Sequence, residues 1–342
     1  MSLVALSVVI PCRNEKDCIE ACIHSIFDQE RLPGGDFEII VADGMSEDGT
    51  RDILKRLADE DPRLRVVDNP KKITPSGMNH GIRAARGQYI AIMGAHNRYA
   101  PDYLKRCIEV LKETGADNVG GALLCDSTFY LQRAIAAAHQ SMFSAGEAKW
   151  HNPEYEGPTD TVFGGAYRRE VFDRIGFFDE ELVRNQDDEL NLRLTRSGGK
   201  IWKSPCIRSW YHPRKSMGAL FRQYLQYGYW KVRVIQKHKL PASIRQVVPG
   251  FFLLTMIALA VASLRWSSAL WLLFMLGAAY LCFIGIGAII TAARYGWDLL
   301  PVLIPVFACY HFGYGLGFIK GINDFMLFRR HPSDRMILIT RK

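Results

Sequence analysis

The chain has 342 residues, which is enough for one domain of ordinary size and a membrane anchor. Its formal net charge is +8, and much of the excess lies in residues 208–245 and 320–342, on either side of the most apolar stretch. Basic segments beside an apolar region favour anionic membrane lipids as partners. The body of the chain has no basic, aromatic-interleaved motif, which argues against nucleic acid.

The eight cysteines include no CxxC pair, which predicts reduced thiols in a cytosolic compartment. Cys18 and Cys22 have helical spacing, but no neighbouring Cys or His completes a tetrahedral zinc site. The first residues lack a basic stretch followed by an apolar core and a cleavage site. We therefore expect no signal peptide and a soluble domain, residues 1–214, that stays in the cytoplasm.

Strands and helices alternate through the first part of this domain. Apolar runs predict strands at residues 6–10, 37–41, 64–67 and 89–93, and helices are expected at residues 14–29, from residue 50, and at residues 75–85. This order predicts an α/β domain with a mostly parallel open sheet and helices on both faces. Ligands of such sheets bind outside the carboxyl ends of the strands, which nominates Asp43 and the segment Gly94-Ala95-His96.

Regularity weakens after residue 113. Helices are predicted at residues 103–113, 132–149, 169–174 and 187–196, and short strands at residues 162–166, 201–203 and 207–211. Residues 215–246 contain a helix, residues 216–239, in which basic and aromatic side chains interleave. That pattern is typical of a helix in the membrane interface, and the alternative is an amphipathic helix packed on the domain.

Residues 247–319 contain three apolar segments, 247–264, 267–293 and 299–319, each long enough to cross about 30 Å of hydrocarbon. We expect an all-α, multi-pass membrane anchor. Three crossings would place the basic tail, residues 320–342, outside the cell, although basic segments prefer the cytoplasm. The number of crossings and the side of the tail therefore stay open.

Five motifs in the same order resemble the family 2 glycosyltransferases, and a sixth extends the match. They are VIPCRNE (9–15), VADGMSEDGT (41–50), NHGIRAARG (79–87), FGGA (163–166), NQDDEL (185–190) and RQYLQYG (222–228). The resemblance covers about residues 5–230, and the apolar tail is similar to that of a membrane-anchored branch of the family. It implies the GT-A fold, which is Rossmann-like.

The same resemblance implies an inverting enzyme that moves a sugar from a nucleotide-sugar donor, expected to be a UDP-sugar, to a hydroxyl of a lipid-linked glycan. The setting would be exopolysaccharide biosynthesis at a bacterial inner membrane. Transfer directly onto a polyprenyl phosphate and a non-catalytic nucleotide-sugar-binding scaffold are the alternatives. Processive polymerisation is disfavoured because the Gln-x-x-Arg-Trp signature is absent. The sequence indicates no oligomeric state.

The resemblance also implies roles for particular residues. Asp187 would be the catalytic base, with Asp188 as the second choice, and Asp43 would accept the imide N–H of uracil. The remaining expected site residues are Pro11, Arg13, Glu15, Asn79, Gly94 and Ala95 around the donor, Arg222 and Gln223 in a segment closing over it, and Gly164, Gly165 and Asp188 near the acceptor. From the residues alone, Asp43 is equally a turn-forming Asp, and Asp187 equally a helix cap.

One segment departs from the family pattern. Members carry Asp-x-Asp after the fourth strand to hold Mg²⁺ or Mn²⁺, and this chain has Gly94-Ala95-His96 instead. Imidazole suits Mn²⁺ better than Mg²⁺, so we expect a divalent metal bound through His96, with His212 as a possible second ligand. The alternative is neutralisation of the leaving diphosphate without metal, by protonated His96 or by Arg and Lys side chains.

Overall fold

The computed structural model describes residues 4–146 and 149–339. Its strands are β1 (Val4–Cys12), β2 (Asp36–Asp43), β3 (Leu64–Asp68), β4 (Tyr89–Ile92), β5 (Arg98–Tyr99), β6 (Asn118–Cys125), β7 (Gly157–Pro158), β8 (Ala166–Arg168) and β9 (Ile201–Tyr211). Its α-helices are α1 (Ile19–Phe27), α2 (Thr50–Glu60), α3 (Thr74–Ala84), α4 (Tyr103–Thr114), α5 (Tyr130–His139), α6 (Met142–Ala145), α7 (Glu170–Ile175), α8 (Gln186–Arg196), α9 (Met217–His238), α10 (Val248–Ala262), α11 (Ser267–Tyr295), α12 (Leu300–Gly321) and α13 (Asp334–Leu338).

The chain forms two compact units. The first comprises Met1–Asp126 and Asn152–His212, and the second comprises Ser127–His151 and Pro213–Lys342. The predicted soluble domain, residues 1–214, included residues 127–151, so the observed division differs there. The reason is apolar packing: Ala134 and Ile135 of α5 share a buried cluster with Ile284 of α11 and Leu303 of α12.

One mixed sheet organises the first unit, in the order β3-β2-β1-β4-β8-β6-β9-β5, with β7 paired to β9. The longest ladders, β1 with β2 and β6 with β9, are parallel. β8 runs antiparallel between β4 and β6. Alternate residues of β1 enter different cores: Val8 packs with Ile23 on one face, and Val9 packs with Ile82 on the other. Helices therefore cover both faces, as the continuous apolar run of β1 predicted.

Two helix boundaries differ from prediction. α1 begins at Ile19 and not near residue 14, because Asn14 is left-handed (φ 54°). Its backbone N–H donates to the Ser46 hydroxyl, and its Oδ1 accepts from the Glu47 backbone N–H. Gly87 follows the helix predicted at residues 75–85, and a glycine there is expected to end it, but α3 ends at Ala84 with the extended residue Ala85 as its cap. Gly87 instead lies against β1, where a Cβ would be 2.6 Å from the Ser7 nitrogen.

Strand β6 was not predicted, since its two glycines obscure the apolar pattern. A Cβ on Gly121 would lie 1.7 Å from the Ile207 oxygen, so close backbone approach to β9 requires glycine there. The two short strands predicted at residues 201–203 and 207–211 form the single strand β9. The helix predicted at residues 132–149 is divided into α5 and α6, and residues 147–148 of that prediction lie outside the described residues.

The apolar region of the second unit contains two helices that are long and apolar enough to cross a membrane, Ser267–Tyr295 and Trp297–Leu327, among the residues described. α10 has 15 residues and spans only about 22 Å at a rise of about 1.5 Å per residue, so the prediction of three long segments is corrected to two. Trp271 and Phe274 of α11 are largely exposed, as lipid-facing side chains are.

α9 packs tightly along α12. A Cβ on Gly317 would lie 1.9 Å from the Leu225 oxygen, and one on Gly228 would lie 2.0 Å from the Tyr314 oxygen. Small residues at such crossings allow two backbones to approach closely in membrane helices. One face of α9 is therefore occupied by protein, and its location in the membrane interface remains a prediction. In the basic tail, Arg341 and Lys342 lie outside the described residues.

Candidate active site

The carboxyl ends of β1, β2 and β4 lie side by side, because β1 pairs in parallel with both neighbours. Pro11 is in register with Ala42, and the Gly44 backbone N–H donates to the Cys12 carbonyl. A Cβ on Gly44 would lie 3.1 Å from the Arg13 Cβ. The structure thus brings together Pro11, Arg13, Glu15, Asp43 and the residues after β4, which is the edge where open α/β sheets bind ligands.

His96 and Glu15 face each other across this edge. His96 Nδ1 lies 3.4 Å from Glu15 Oε1, and the His96 side chain is 61% exposed. A carboxylate beside an imidazole orients the ring. This pair was not foreseen, because the sequence placed Glu15 with the nucleotide and His96 with a metal.

Gly94 leaves space that Asn97 fills. A Cβ on Gly94 would lie 3.0 Å from Asn97 Nδ2, and the buried Oδ1 and Nδ2 of Asn97 have no hydrogen-bond partner within the described residues. The Gly94 N–H donates to the Tyr99 hydroxyl at 2.6 Å, and burial raises the pKa of that hydroxyl. Ala95 is buried in the core.

Few side chains in this region could act as ligands of a divalent metal ion. Residues 4–146 and 149–339 contain no cluster of three or more His, Cys, Asp and Glu side chains that could hold a metal, so His212 does not join His96 in one. His96 and Glu15 offer two adjacent side-chain donors, whereas the Asn97 amide is buried beside Gly94. The two adjacent donors fit a weakly held divalent ion whose other ligands are diphosphate oxygens and water.

Asp43 is fully buried, and its carboxylate is already engaged. Oδ1 accepts from the Ser46 hydroxyl at 2.5 Å, while Oδ2 accepts from the Ser46 N–H at 3.0 Å and from Arg51 Nη1 at 2.9 Å. Arg51 also donates through Nη2 to Asp68 at 2.8 Å. In this conformation, the buried Asp43 carboxylate is not open to a nucleotide base.

Both the nitrogen and the oxygen of the Asn79 side-chain amide form hydrogen bonds with other residues of the protein. Its Nδ2 donates to the Phe178 carbonyl at 2.9 Å and to Glu180 Oε1 at 3.0 Å, and its Oδ1 accepts from the Phe178 N–H at 3.0 Å. Lys71 donates to the other Glu180 oxygen at 2.7 Å. Asn79 therefore fixes the loop before α8, whereas the resemblance had implied a contact with the donor.

The turn at Gly164 and Gly165 lies beside β4. Both residues have positive φ, 72° and 28°, and Ile92 donates its N–H to the Gly165 carbonyl at 3.0 Å. A Cβ on Gly165 would lie 2.5 Å from the ring of Tyr167. Glycine is therefore required at this turn by conformation and by close packing.

Asp187 lies in the first turn of α8 and is exposed. Burial raises the pKa of the Tyr167 hydroxyl, and the negative charge of the Asp187 carboxylate raises it further. The helix N-terminus stabilises an ionised carboxylate. Asp188 follows, half-buried, and donates its N–H to Asp187 Oδ1 at 3.0 Å.

Arg222 and Gln223 belong to α9, in the second unit. Gln223 accepts from Arg214 Nε at 2.8 Å and donates to the Tyr227 hydroxyl at 2.9 Å. The expected role of Arg222 and Gln223 in closing over the donor remains a prediction.

Sequence reasoning missed three residues of this region: Arg51, Asp68 and Asn97. Arg51 follows the GMSEDGT turn, and Asp68 ends β3, so the rule that ligands meet strand ends would have nominated Asp68. No sequence motif indicated Asn97, because this residue matters only through the space that it fills beside Gly94.

Comparisons with known proteins give three results. The model for "Glycosyl transferase family 2" matches residues 7–176. The succinoglycan biosynthesis protein ExoA of Rhizobium meliloti (strain 1021) is 34% identical over 244 residues, covering 71% of this chain and 73% of that protein. A Methanococcus voltae protein, dolichyl N-acetyl-alpha-D-glucosaminyl phosphate 3-beta-D-2,3-diacetamido-2,3-dideoxy-beta-D-glucuronosyltransferase, is 28% identical over 328 residues, covering 94% of this chain and 99% of its own.

Among solved structures, a mannosyltransferase from Pyrobaculum calidifontis in complex with GDP-Man and Mn²⁺ superimposes with a TM-score of 0.59 and 20% sequence identity. The match covers 90% of this chain and 86% of that structure. At this identity, the similarity concerns the fold.

Proposed function

Because the chain belongs to glycosyl transferase family 2 and acts in glycan biosynthesis, we propose that it is an inverting enzyme that adds a sugar to a lipid-linked glycan. The donor is a nucleotide-sugar, with UDP-sugar as the first choice. The observation that carries the proposal is the position of Asp187, an exposed carboxylate in the first turn of α8, within the motif that matches the family.

The nucleotide diphosphate would lie across the ends of β1, β2 and β4, beside Pro11, Arg13 and Glu15. A divalent ion held by His96 and Glu15 would supply positive charge to the leaving diphosphate. Support comes from the donor set and from the Mn²⁺ in the related mannosyltransferase. Gly94 and Ala95 bring backbone, without side-chain bulk, to this edge.

Asp187 would accept the proton of the acceptor hydroxyl as its oxygen attacks the anomeric carbon. The bond to the nucleotide diphosphate breaks on the opposite face, so the configuration inverts and the electron pair leaves with the diphosphate. A general base of this kind contributes about 10²–10⁴ in rate. Gly164 and Gly165 would let the acceptor sugar approach the backbone, with Asp188 next to the base.

The acceptor proposal is supported by the Methanococcus voltae relative, whose name specifies a dolichyl phosphate-linked sugar and which aligns along almost the whole chain. Two long membrane helices would place the soluble unit and the basic tail on the same side, which we propose to be the cytoplasm. This assignment resolves the conflict that three crossings created. Anionic lipids would contact the basic residues that flank the helices.

The test is a donor screen with the full chain in nanodiscs containing a polyprenyl-diphosphate glycan. The proposal predicts release of nucleoside diphosphate and a product longer by one sugar. A product formed only on free polyprenyl phosphate would favour the alternative acceptor. Donor binding without release, across acceptors, would overturn catalysis and favour a scaffold.

A further inference from the structure

A cavity of about 300 Å³ lies at the amino ends of β1 and β4, at the edge of the sheet opposite the candidate active site. Val4 and Ala5 of β1 and Tyr89 of β4 line it, because these two strands run parallel and both begin here. Arg168 of β8 pairs with Tyr89 in the antiparallel direction, so the next residue, Arg169, also reaches this edge. Ligand sites of proteins have volumes from about 300 Å³ upwards, so the cavity is large enough for a small molecule.

Three cationic side chains line this cavity: Arg86, Lys112 and Arg169. Arg86 donates through Nε and Nη2 to Glu38 Oε2 at 3.0 and 2.9 Å, but Arg65 Nη2 donates to the same oxygen at 2.9 Å. One buried carboxylate therefore faces two guanidinium groups. Among residues 4–146 and 149–339, neither Lys112 nor Arg169 lies within ion-pairing distance of a carboxylate. The cavity is therefore positively charged, and an anion is the ligand that suits it.

Arg169 is held in place by its neighbours and keeps an unused donor. Its backbone N–H donates to the Gln88 carbonyl at 3.0 Å, and its Nε donates to the Gly87 carbonyl at 2.7 Å. Its Nη2 is buried, and no acceptor within the described part of the chain takes its protons. Buried polar groups are normally paired, because an unpaired one has lost its hydration without compensation. This donor is an observation independent of the charge of the cavity, and it also indicates an anionic acceptor.

The rest of the cavity wall is uncharged. Pro33 and Gly34 precede β2, and there is open space within 4 Å of the position that a Cβ on Gly34 would take. Tyr89 presents a buried aromatic side chain. Asp36 pairs with Val4 in the sheet and is exposed, but it does not line the cavity. A ligand that fills the space therefore has an anionic group for the three cations and an uncharged body for this wall.

We propose that this cavity is a second ligand site, which binds the phosphate monoester of a small organic molecule, such as a sugar phosphate. A phosphate monoester carries a charge of about −1.5 to −2 at pH 7 and three acceptor oxygens, whereas a carboxylate carries one charge and two oxygens. The phosphate therefore matches three cations better. Arg169 donates to the phosphate oxygens through its planar guanidinium, and Lys112 and Arg86 add positive charge.

This site is separate from the proposed sugar transfer. β1 extends from Val4 at the cavity to Cys12 at the candidate active site, which is about 26 Å at about 3.3 Å per residue. A ligand in the cavity therefore does not compete with the nucleotide. The inference does not rest on the proposed function, and it would stand if Asp187 were not the catalytic base.

The experiment measures glucose 6-phosphate binding to the full chain in detergent by calorimetry, without divalent metal ions. We expect Arg169→Gln to weaken binding by about tenfold or more, because it removes a charged and desolvated donor. Lys112→Gln should weaken binding by about two- to fivefold, because it removes an exposed charge. Lys112 has no ion pair within the described residues, so this variant should keep the wild-type melting temperature and tests the site even if Arg169→Gln fails to fold.

Two control variants should bind glucose 6-phosphate like the wild type. Lys105→Gln is the matched control for charge, because Lys105 lies on the same helix, α4, pairs with Glu30 at 2.9 Å and does not line the cavity. Arg13→Gln removes a cation from the edge of the sheet that holds the candidate active site. Loss of binding in Arg13→Gln, with wild-type binding in Arg169→Gln and Lys112→Gln, would overturn the inference, because the anion would then bind at that edge.

Two results with the wild-type chain would also overturn the inference. One is a Kd for glucose 6-phosphate weaker than about 10 mM, which would leave the cavity without a ligand of this class. The other is inorganic phosphate binding as tightly as glucose 6-phosphate, which would show that the uncharged wall contributes nothing and that an organic phosphate is not selected. Both results would leave the proposed sugar transfer intact.

Discussion

His96 Nδ1 lies 3.4 Å from Glu15 Oε1, so the segment after β4 is joined to the segment after β1 by one imidazole–carboxylate pair. His96 belongs to the segment in which the family pattern has a metal-binding Asp-x-Asp sequence. The pair places one carboxylate oxygen and one imidazole nitrogen side by side at the edge where the diphosphate is proposed to lie.

The first prediction concerns this pair and Mn²⁺. His96→Ala and Glu15→Gln should each weaken Mn²⁺ binding in the presence of UDP by about tenfold or more, because each removes a ligand or its orienting partner. Electron paramagnetic resonance of free Mn²⁺ measures the affinity directly. His212→Ala is the control and should bind Mn²⁺ like the wild type. Equal loss in all three variants would contradict the two-residue assignment.

The second prediction concerns Asn79, whose amide bonds to Phe178 and Glu180. Asn79→Ala leaves the buried Phe178 backbone groups unpaired and should lower the free energy of unfolding by about 1–3 kcal/mol. Turnover should fall because the loop before Asp187 loosens, while the Kd for UDP stays within about twofold. A weaker UDP Kd without loss of thermal stability would restore Asn79 to the nucleotide site.

The third prediction concerns Lys203 of β9, which is fully buried and donates to the backbone carbonyls of Asn152 and Tyr155. Burial lowers its pKa from the ordinary 10.5 to about 8. Between these values the unfolded chain binds the proton and the folded chain does not, so folding becomes more favourable as the pH rises. Below pH 8, Lys203 is charged in the folded chain as well, and the full free-energy cost of burying this charge then opposes folding.

Melting temperatures of wild type and Lys203→Met, compared from pH 7 to pH 10, test this. The wild-type value minus the variant value should rise with pH. Lys105→Met provides the control, because contact with Glu30 raises the pKa of Lys105 and no such rise is expected. A flat difference for Lys203→Met would show that this ammonium is not desolvated.

The fourth prediction concerns the crossing of α9 and α12. Gly317→Leu forces a side chain into the Leu225 backbone and should cost at least about 1–3 kcal/mol, seen as a lower melting temperature in detergent. Gly277→Leu is the matched control, since a Cβ at Gly277 of α11 meets no atom within 4 Å. Similar melting temperatures for the two variants would contradict the packing.

Much of the fold was predictable from sequence. The apolar runs and the order of the motifs predicted the α/β sheet and the resemblance to the GT-A glycosyltransferases, and both are confirmed. Strand β6 was not predicted, because Gly120 and Gly121 interrupt its apolar pattern. Both glycines allow other parts of the chain to approach closely, and local periodicity does not indicate such contacts. The first apolar segment, residues 247–264, forms a helix of only 15 residues, because apolar composition alone does not show where a helix begins. The number of membrane crossings stays a prediction.

The site was less predictable than the fold. Motif spacing placed Asp43 at a strand end, but only the three-dimensional structure shows that Ser46 and Arg51 occupy its oxygens. Asn97 and Asp68 have no motif of their own. Asp68 is linked to the site by its hydrogen bond from Arg51, and Asn97 by the space that it fills beside Gly94.

Sugar transfer is proposed to depend on Asp187 as the general base. Replacing it with Asn preserves size and removes the proton acceptor. The decisive measurement is single-turnover transfer by Asp187→Asn in nanodiscs, alongside calorimetric donor binding and the Asp188→Asn variant. We expect the rate of transfer by Asp187→Asn to fall by a factor of about 10²–10⁴ while the donor Kd stays within about twofold, and the rate of Asp188→Asn to fall much less. Transfer by Asp187→Asn at the wild-type rate would contradict this role of Asp187.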